Sequence, residues 1–161
     1  MRQQSVWKAS LLTAGIGSAA MAIYHLWMPE QWGWSEKLRA TPPAIAWGAV
    51  MINACFSVLL LIGAILTVCC AWRWSKRDAL TWACVAGMGA FWVFNAAYQF
   101  VSPMPLPDRL RFIGWILSGF AVAMVVLYGA ALIAARSRQG SRGNGGAAAV
   151  GEALSVPPRR M

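Results

Sequence analysis

Four apolar runs, each long enough to cross a lipid bilayer and nearly free of charge, constrain this chain more than anything else in it. A helix rises about 1.5 Å per residue, so roughly 20 apolar residues cross a hydrocarbon layer about 30 Å thick. The runs cover residues 9–28, 44–71, 79–101 and 112–135, and His25 is the only residue in them that titrates near neutral pH. None alternates with period two, so they read as helices and not as barrel strands. Backbone groups in lipid must be bonded within their own segment, which a helix achieves alone. The expected fold is all-α: a polytopic membrane protein built as an antiparallel bundle of four transmembrane helices.

Composition agrees. Of the 161 residues, 59% are hydrophobic and 12% charged, about half the charge needed to cover a soluble domain. A soluble globular enzyme is thereby excluded. The net charge of +9 does not indicate nucleic acid, because the cations fall in short clusters between apolar runs and not along a solvated face. One transmembrane domain over residues 1–136 is expected. The stretch 137–161, rich in Gly, Ala, Ser and Arg, reads as a disordered basic cytoplasmic tail that touches anionic lipid.

Lys and Arg also set the direction. Ten of them (Arg2, Lys8, Arg73, Lys76, Arg77, Arg136, Arg138, Arg142, Arg159 and Arg160) lie on one side of a four-span arrangement. Four (Lys37, Arg39, Arg109 and Arg111) lie on the other. Both termini are expected in the cytoplasm, with the protein in the plasma or inner membrane. Tryptophan favours the headgroup level, and nine of the ten tryptophans fall at span ends, Trp92 alone lying mid-span. A competing reading makes residues 1–22 a signal peptide cut after Ala20-Met21-Ala22. Against it, apolar character runs on through Met28.

In lipid, helices associate through small residues and a few hydrogen bonds. Pairs at i, i+4 occur at Ala14 and Ser18, Gly15 and Ala19, Ala83 and Gly87, Ala86 and Ala90, and Gly114 and Ser118. They are expected to support packing in general.

Polar residues inside the spans are costly and need a partner or a purpose. His25 lies near the end of the first span. Asn53 is about nine residues into the second, roughly 13 Å from the surface. Asn95, Tyr98 and Gln99 share one face of the third at i, i+3 and i+4 spacing, and Trp92 extends that face. All are expected in the outer half of the bundle. One reading joins His25, Asn53, Trp92, Asn95, Tyr98 and Gln99 in a pocket for a quinone head group, a small solute or a metal. The other has these groups hydrogen-bonding one another across helices. No cofactor is required by the sequence.

Cys69, Cys70 and Cys84 are expected at similar depth near the cytoplasmic face, where thiolates suit a soft metal. No CxxC or flanking His accompanies them, so the alternative is three small buried hydrophobes. The exterior loops hold no cysteine, which excludes a disulfide-forming enzyme of this architecture. The five carboxylates, Glu30, Glu36, Asp78, Asp108 and Glu152, all fall outside the spans, which counts against a proton-coupled pump. One histidine cannot give haem two imidazoles, and nothing pairs a nucleophile with a base. A catalytic role is therefore not expected. In the loop 29–43, Pro29 is expected to stop the first helix and Pro42-Pro43 to set the start of the second. Trp32 and Trp34 are expected to lie at the membrane surface, tying two spans together or forming a lid over the pocket.

His25, Pro29 four residues later, an aromatic-rich loop, Pro42-Pro43 and a second span ending Leu59-Leu60-Leu61-Ile62-Gly63 resemble the small four-helix DoxX-like membrane proteins. The resemblance covers about the first 65 residues. It implies a four-helix fold and, for some members, quinone-coupled sulfur oxidation. That pattern commonly carries an acid early in the second span, where Asn53 stands here. The abundant tryptophan is also similar to the tryptophan-rich sensory proteins, which have five spans.

Two functional expectations follow. The first is a non-catalytic accessory or scaffold subunit of a membrane system, respiratory or redox, whose partners are the bilayer and another membrane protein or further copies of itself. The second is quinone or small-solute binding or transport through the outer-half pocket. Reporter fusions at both ends are expected to place the two termini in one compartment; opposite compartments would refute an even number of spans.

Overall fold

The computed structural model describes the backbone of residues 2–73, 78–104 and 106–154, and side chains within 5–73, 78–104 and 106–134. Its regular elements are helices: α1 (Arg2–Gln31), α2 (Trp34–Lys37), α3 (Pro43–Arg73), α4 (Ala79–Val101) and α5 (Arg111–Leu154), with a 3-10 turn at Asp108–Leu110. Four stretches, Ser5–Gln31, Pro43–Arg73, Ala79–Val101 and Asp108–Ala134, are long and apolar enough to cross a membrane. They match the four expected runs.

The helix starts have local causes. Pro43 opens α3, where a missing N–H would have had no partner anyway, and the Pro42 carbonyl accepts from the amides of Ile45 and Ala46. Asp78 caps α4, its carboxylate accepting from the Thr81 amide at 2.8 Å, which satisfies one orphan donor of the first turn. Gly33 precedes α2 at φ 60°, a left-handed conformation that glycine adopts without a Cβ clash.

One expected end is corrected. Pro29 does not stop α1; it lies inside the helix, and Trp32 N–H still donates to the Met28 carbonyl at 2.9 Å. The helix survives because the carbonyl that Pro29 deprives of its donor is claimed by another helix, as described below. The backbone of α5 continues as helix to Leu154, while its stretch apolar enough to span ends at Ala134. A helix already nucleated adds a hydrogen bond for each residue fixed, so propagation is easy. Side chains from Ala135 onward and all of residues 155–161 lie outside the described residues, and with them most of the expected tail.

The four long helices follow chain order around a ring, α1 packing on α3 and α5, and α4 on α5 and α3. Short connections make each neighbour antiparallel. The end that carries α2 and residues 102–110, opposite the N-terminus, is called distal below. Each helix turns a stripe inward at i, i+3 and i+4 spacing: Leu11, Ala14, Ser18 and Ala22 on α1, and Val85, Gly89, Trp92 and Ala96 on α4. The polarity is the reverse of a soluble core. Ser18, Asn53, Ser57, Thr67 and Thr81 are buried, while Ile16, Ile52, Leu59, Phe94 and Ile133 face outward. In lipid the polar groups seek the interior, where partners are.

Two buried hydrogen bonds tie the four spans in pairs, α4 to α1 and α5 to α3. Trp92 Nε1–H donates to Ser18 Oγ at 3.2 Å. Thr67 Oγ1 lies 2.8 Å from Tyr128 Oη and 2.8 Å from the Gly63 carbonyl. A hydroxyl has one proton. That of Thr67 goes to Gly63, so Tyr128 donates to Thr67. Trp92 therefore sits mid-span because its indole N–H has an internal acceptor there.

Of the small-residue pairs, Ala14 and Ser18 are fully buried, Gly15 lies against α3, and Gly114 and Ser118 face the cavity described below. Ala83, Ala86, Gly87 and Ala90 are exposed. A Cβ on Gly15 would stand 2.7 Å from Val68 Cγ2 and 3.3 Å from the Ala64 carbonyl oxygen, whereas one on Gly87 would meet nothing within 4 Å. Gly15→Val is thus expected to cost about 1–3 kcal/mol, read as a lower Tm in detergent, and Gly87→Ala to leave Tm unchanged or raised. Equal effects of the two would mean that α1 and α3 are not in this close contact.

Candidate ligand-binding cavity

In the distal half the helices separate around a cavity of about 830 Å³. Its walls come from matching stripes: Met21, Tyr24, His25 and Met28 of α1; Trp92, Asn95, Tyr98 and Gln99 of α4; Arg111, Gly114, Trp115 and Ser118 of α5; and Phe56 of α3. Residues 102–106 contribute Ser102, Pro103, Met104 and Leu106. Aromatic rings pack at the inner end, where His25, Phe56 and Trp92 line the space and Phe91 and Phe120 back them: His25 and Phe56 have centroids 4.8 Å apart, Phe91 and Trp92 5.3 Å, and Trp92 and Phe120 5.5 Å, all edge to face. Such pairs are the preferred aromatic geometry. Trp92 links this end to the buried Ser18 hydrogen bond below it.

Five of the six residues expected in a pocket line this cavity: His25, Trp92, Asn95, Tyr98 and Gln99. Asn53 does not. It is 8% exposed and stands behind His25, to which it makes two contacts. Its Nδ2 donates to the His25 carbonyl at 2.7 Å, and its Oδ1 lies 3.3 Å from His25 Nδ1. Proline lacks an N–H and cannot bond the carbonyl four residues before it. Pro29 follows His25 by four, so the His25 carbonyl is the one it orphans, and Asn53 supplies the missing donor. With Nδ2 committed there, Oδ1 faces the ring and accepts from Nδ1–H. That fixes the tautomer, leaving Nε2 as an acceptor.

On the facing wall, Gln99 Nε2 donates to Asn95 Oδ1 at 2.7 Å, and Ser118 Oγ donates to Gln99 Oε1 at 3.1 Å. This ties α4 to α5 and leaves the Asn95 amide N–H2 as donor. Tyr98 is more exposed and stacks on Phe94 with centroids 6.2 Å apart. The cavity thus combines apolar and aromatic walls with a fixed acceptor on α1 and a donor on α4, the pattern of small-molecule sites, which commonly span about 300–1,000 Å³.

Met21, Met28, Ser118 and Arg111 were not among the expected lining residues. For Ser118 the Gly114–Ser118 spacing was a signal, read only as packing. Of the cysteines, Cys69 is exposed, Cys70 buried and Cys84 between, with Cys70 close to Cys84 across the α3–α4 contact. Among the described residues no three His, Cys, Asp or Glu side chains are grouped to hold a metal ion. The loop 29–43 carries α2, and its Trp32, Trp34 and Lys37 line a second cavity of about 330 Å³ beside the first. Compared with known protein families, curated proteins and solved structures, the chain matches none.

If Asn53 serves the carbonyl that Pro29 exposes, Asn53→Leu should cost about 1–3 kcal/mol, the penalty for an unsatisfied buried acceptor. In a Pro29→Ala background residue 29 regains its N–H, and most of that cost should vanish. The two substitutions made singly and together, followed by thermal unfolding in detergent, measure this. Strictly additive effects would refute the clamp.

Proposed function

We propose that this protein binds a small amphipathic molecule drawn from the membrane, held in the distal cavity. The observation that carries the reading is the convergence of polar groups from three helices on a space of about 830 Å³ with mostly apolar walls. The ligand's body contacts Phe56, Trp92 and Met21, while its polar atoms meet His25 Nε2 and the Asn95 amide. A quinone head group, whose carbonyl accepts from the Asn95 amide and whose reduced, hydroxyl-bearing form donates to His25 Nε2, belongs to this class, and the resemblance to DoxX-like proteins leads to the same chemistry. No nucleophile and base meet in the cavity, so binding, carriage or presentation to a partner is the proposed role and turnover is not. The excess of Lys and Arg on the terminal side supports a plasma or inner membrane protein with cytoplasmic termini, and hence a cavity near the opposite leaflet.

A scaffold role is the second reading, favoured by one observation: His25 is already bonded to Asn53, and Gln99 to Asn95 and Ser118. Such a bundle would serve as an accessory subunit to a membrane partner, or to copies of itself, without a ligand.

The two separate on one variant. Gly114 lines the cavity, and a Cβ there would lie 3.8 Å from Leu106 Cδ1, ordinary contact. Gly114→Leu is expected to fill space without clash, so Tm holds or rises while quenching of tryptophan fluorescence by a short-chain quinone falls about tenfold or more, the scale of 1.4 kcal/mol. Undiminished quenching in Gly114→Leu would place any binding elsewhere and leave the scaffold reading.

A further inference from the structure

The cavity has a mouth whose charge is one-sided. Arg111 lines the main cavity, and Arg109 and Lys37 line the smaller one beside it. Met28, Met104 and Leu106 line both, so the partition between them consists of two unbranched, easily repacked methionines and a leucine. Neither lining contains a carboxylate. Asp108 is the one acid in contact with these cations, pairing with Arg111 at 2.6 Å on a fully solvated edge where both side chains are exposed. Lys37 Nζ lies 5.7 Å from the Trp32 ring, and Arg109 forms no ion pair among the described residues. Among the lining residues and their ion-pair partner, three cations stand against one acid, a positive rim over an apolar chamber, while Glu30 and Glu36 of the same end line neither cavity.

We infer that the two cavities form one site for an anionic amphiphile, a molecule with a phosphate or carboxylate head on a long apolar body, supplied by the surrounding leaflet. The apolar body enters between α1, α4 and α5 beside Phe56 and Trp92. The head stays at the rim, where Lys37, Arg109 and Arg111 donate charge-assisted hydrogen bonds. Repacking of Met28 and Met104 joins the chambers. The three cations come from α2, from the 3-10 turn and from the start of α5, so the fold and not one sequence cluster gathers them. All three are exposed and border the cavity openings, where cationic side chains reach headgroups. The inference rests on the cavity-binding reading and adds the ligand's charge.

The test is intact-complex mass spectrometry of the full chain in neutral detergent, offered phosphatidylglycerol and phosphatidylcholine of equal chain length, a fatty acid anion, inorganic phosphate, or a short-chain neutral quinone. Phosphatidylglycerol is expected to be retained roughly tenfold or more over phosphatidylcholine, since each interfacial cation favours anionic lipid severalfold. The fatty acid anion should compete for the site and inorganic phosphate should not. Lys37→Ala with Arg109→Ala, both exposed positions, should reduce the preference to near parity with unchanged Tm. Gly114→Leu should abolish retention of both lipids, and Ser118→Leu provides the same block should the first variant fail to fold. Equal retention of the two lipids, a preference that survives the loss of the cations or the block, or displacement by inorganic phosphate alone would each overturn the inference. Quinone retained in a Gly114-dependent way without anionic preference overturns the charge assignment but leaves cavity binding standing. No retention of any amphiphile overturns both.

Discussion

Hydrocarbon offers no hydrogen bonds, and each feature of this bundle that is not simple packing answers to that fact. A proline inside a membrane helix frees a carbonyl that water would satisfy elsewhere. Here the freed group belongs to His25, and Asn53 on the neighbouring helix donates to it at 2.7 Å. The bond joins α1 to α3 at the depth where the bundle opens. It also turns the Asn53 carbonyl oxygen, which can only accept, toward the ring, and so decides which nitrogen of His25 carries its hydrogen. One backbone defect thus fixes a helix pair, a side-chain rotamer and a tautomer together.

The same rule organises the interior lower down. Ser18, Thr67, Trp92 and Tyr128 could each have been a burden in lipid; paired as Trp92 with Ser18 and Tyr128 with Thr67 they bond one another between helices. Each such bond contributes only about 0.6 kcal/mol, but together they define a rotational setting for every helix at one level. At Gly15 the backbones of α1 and α3 come close, and at Gly63 the Met88 side chain of α4 fills the place a Cβ would take, which brings the helices near enough for those bonds to form. Below the cavity the bundle is therefore tied and tightly packed, and above it the helices part. The cavity's inner end is rigid because Trp92 belongs to both zones.

Hydropathy made the four spans, their number and their approximate limits legible, and the pair Pro42-Pro43 marked the start of α3. The shared depth of His25, Asn53 and Asn95 was also readable, since rise per residue converts position to depth. What depth cannot give is azimuth. Asn53 and Asn95 lie in the same half, yet one stands behind His25 and the other lines the space in front of it. Asn53 was expected in the pocket for that reason. Pro29 was read as a stop because a proline's local rule is strong, and only a donor from a distant helix relaxes it. Tyr128 and Thr67 escaped notice because a lone Tyr or Thr in an apolar run has no pattern; their meaning is the partner. Lys37, Arg109 and Arg111 were read for topology alone, since nothing in their spacing joins residues more than 70 apart in the chain.

The coexistence of satisfied polar groups with an open cavity bears on which role the bundle serves. A helix bundle under selection for stability alone fills its interior, because each void forfeits dispersion contacts at about 24 cal/mol per Å³. The distal half does the opposite: Gly114 and Ser118 on α5 are small where they line the space, and a Cβ at Gly114 would meet only Leu106 Cδ1, at 3.8 Å. The polar pairs do not close that space either. They brace its walls, His25 from behind by Asn53 and Gln99 from the side by Ser118, so that Nε2 and the Asn95 amide are held in place before anything arrives. Pre-positioned groups reduce the ordering cost of binding. Internal hydrogen bonding is thus what a site in a membrane helix bundle needs first, and it is weak grounds for reading the same residues as scaffold.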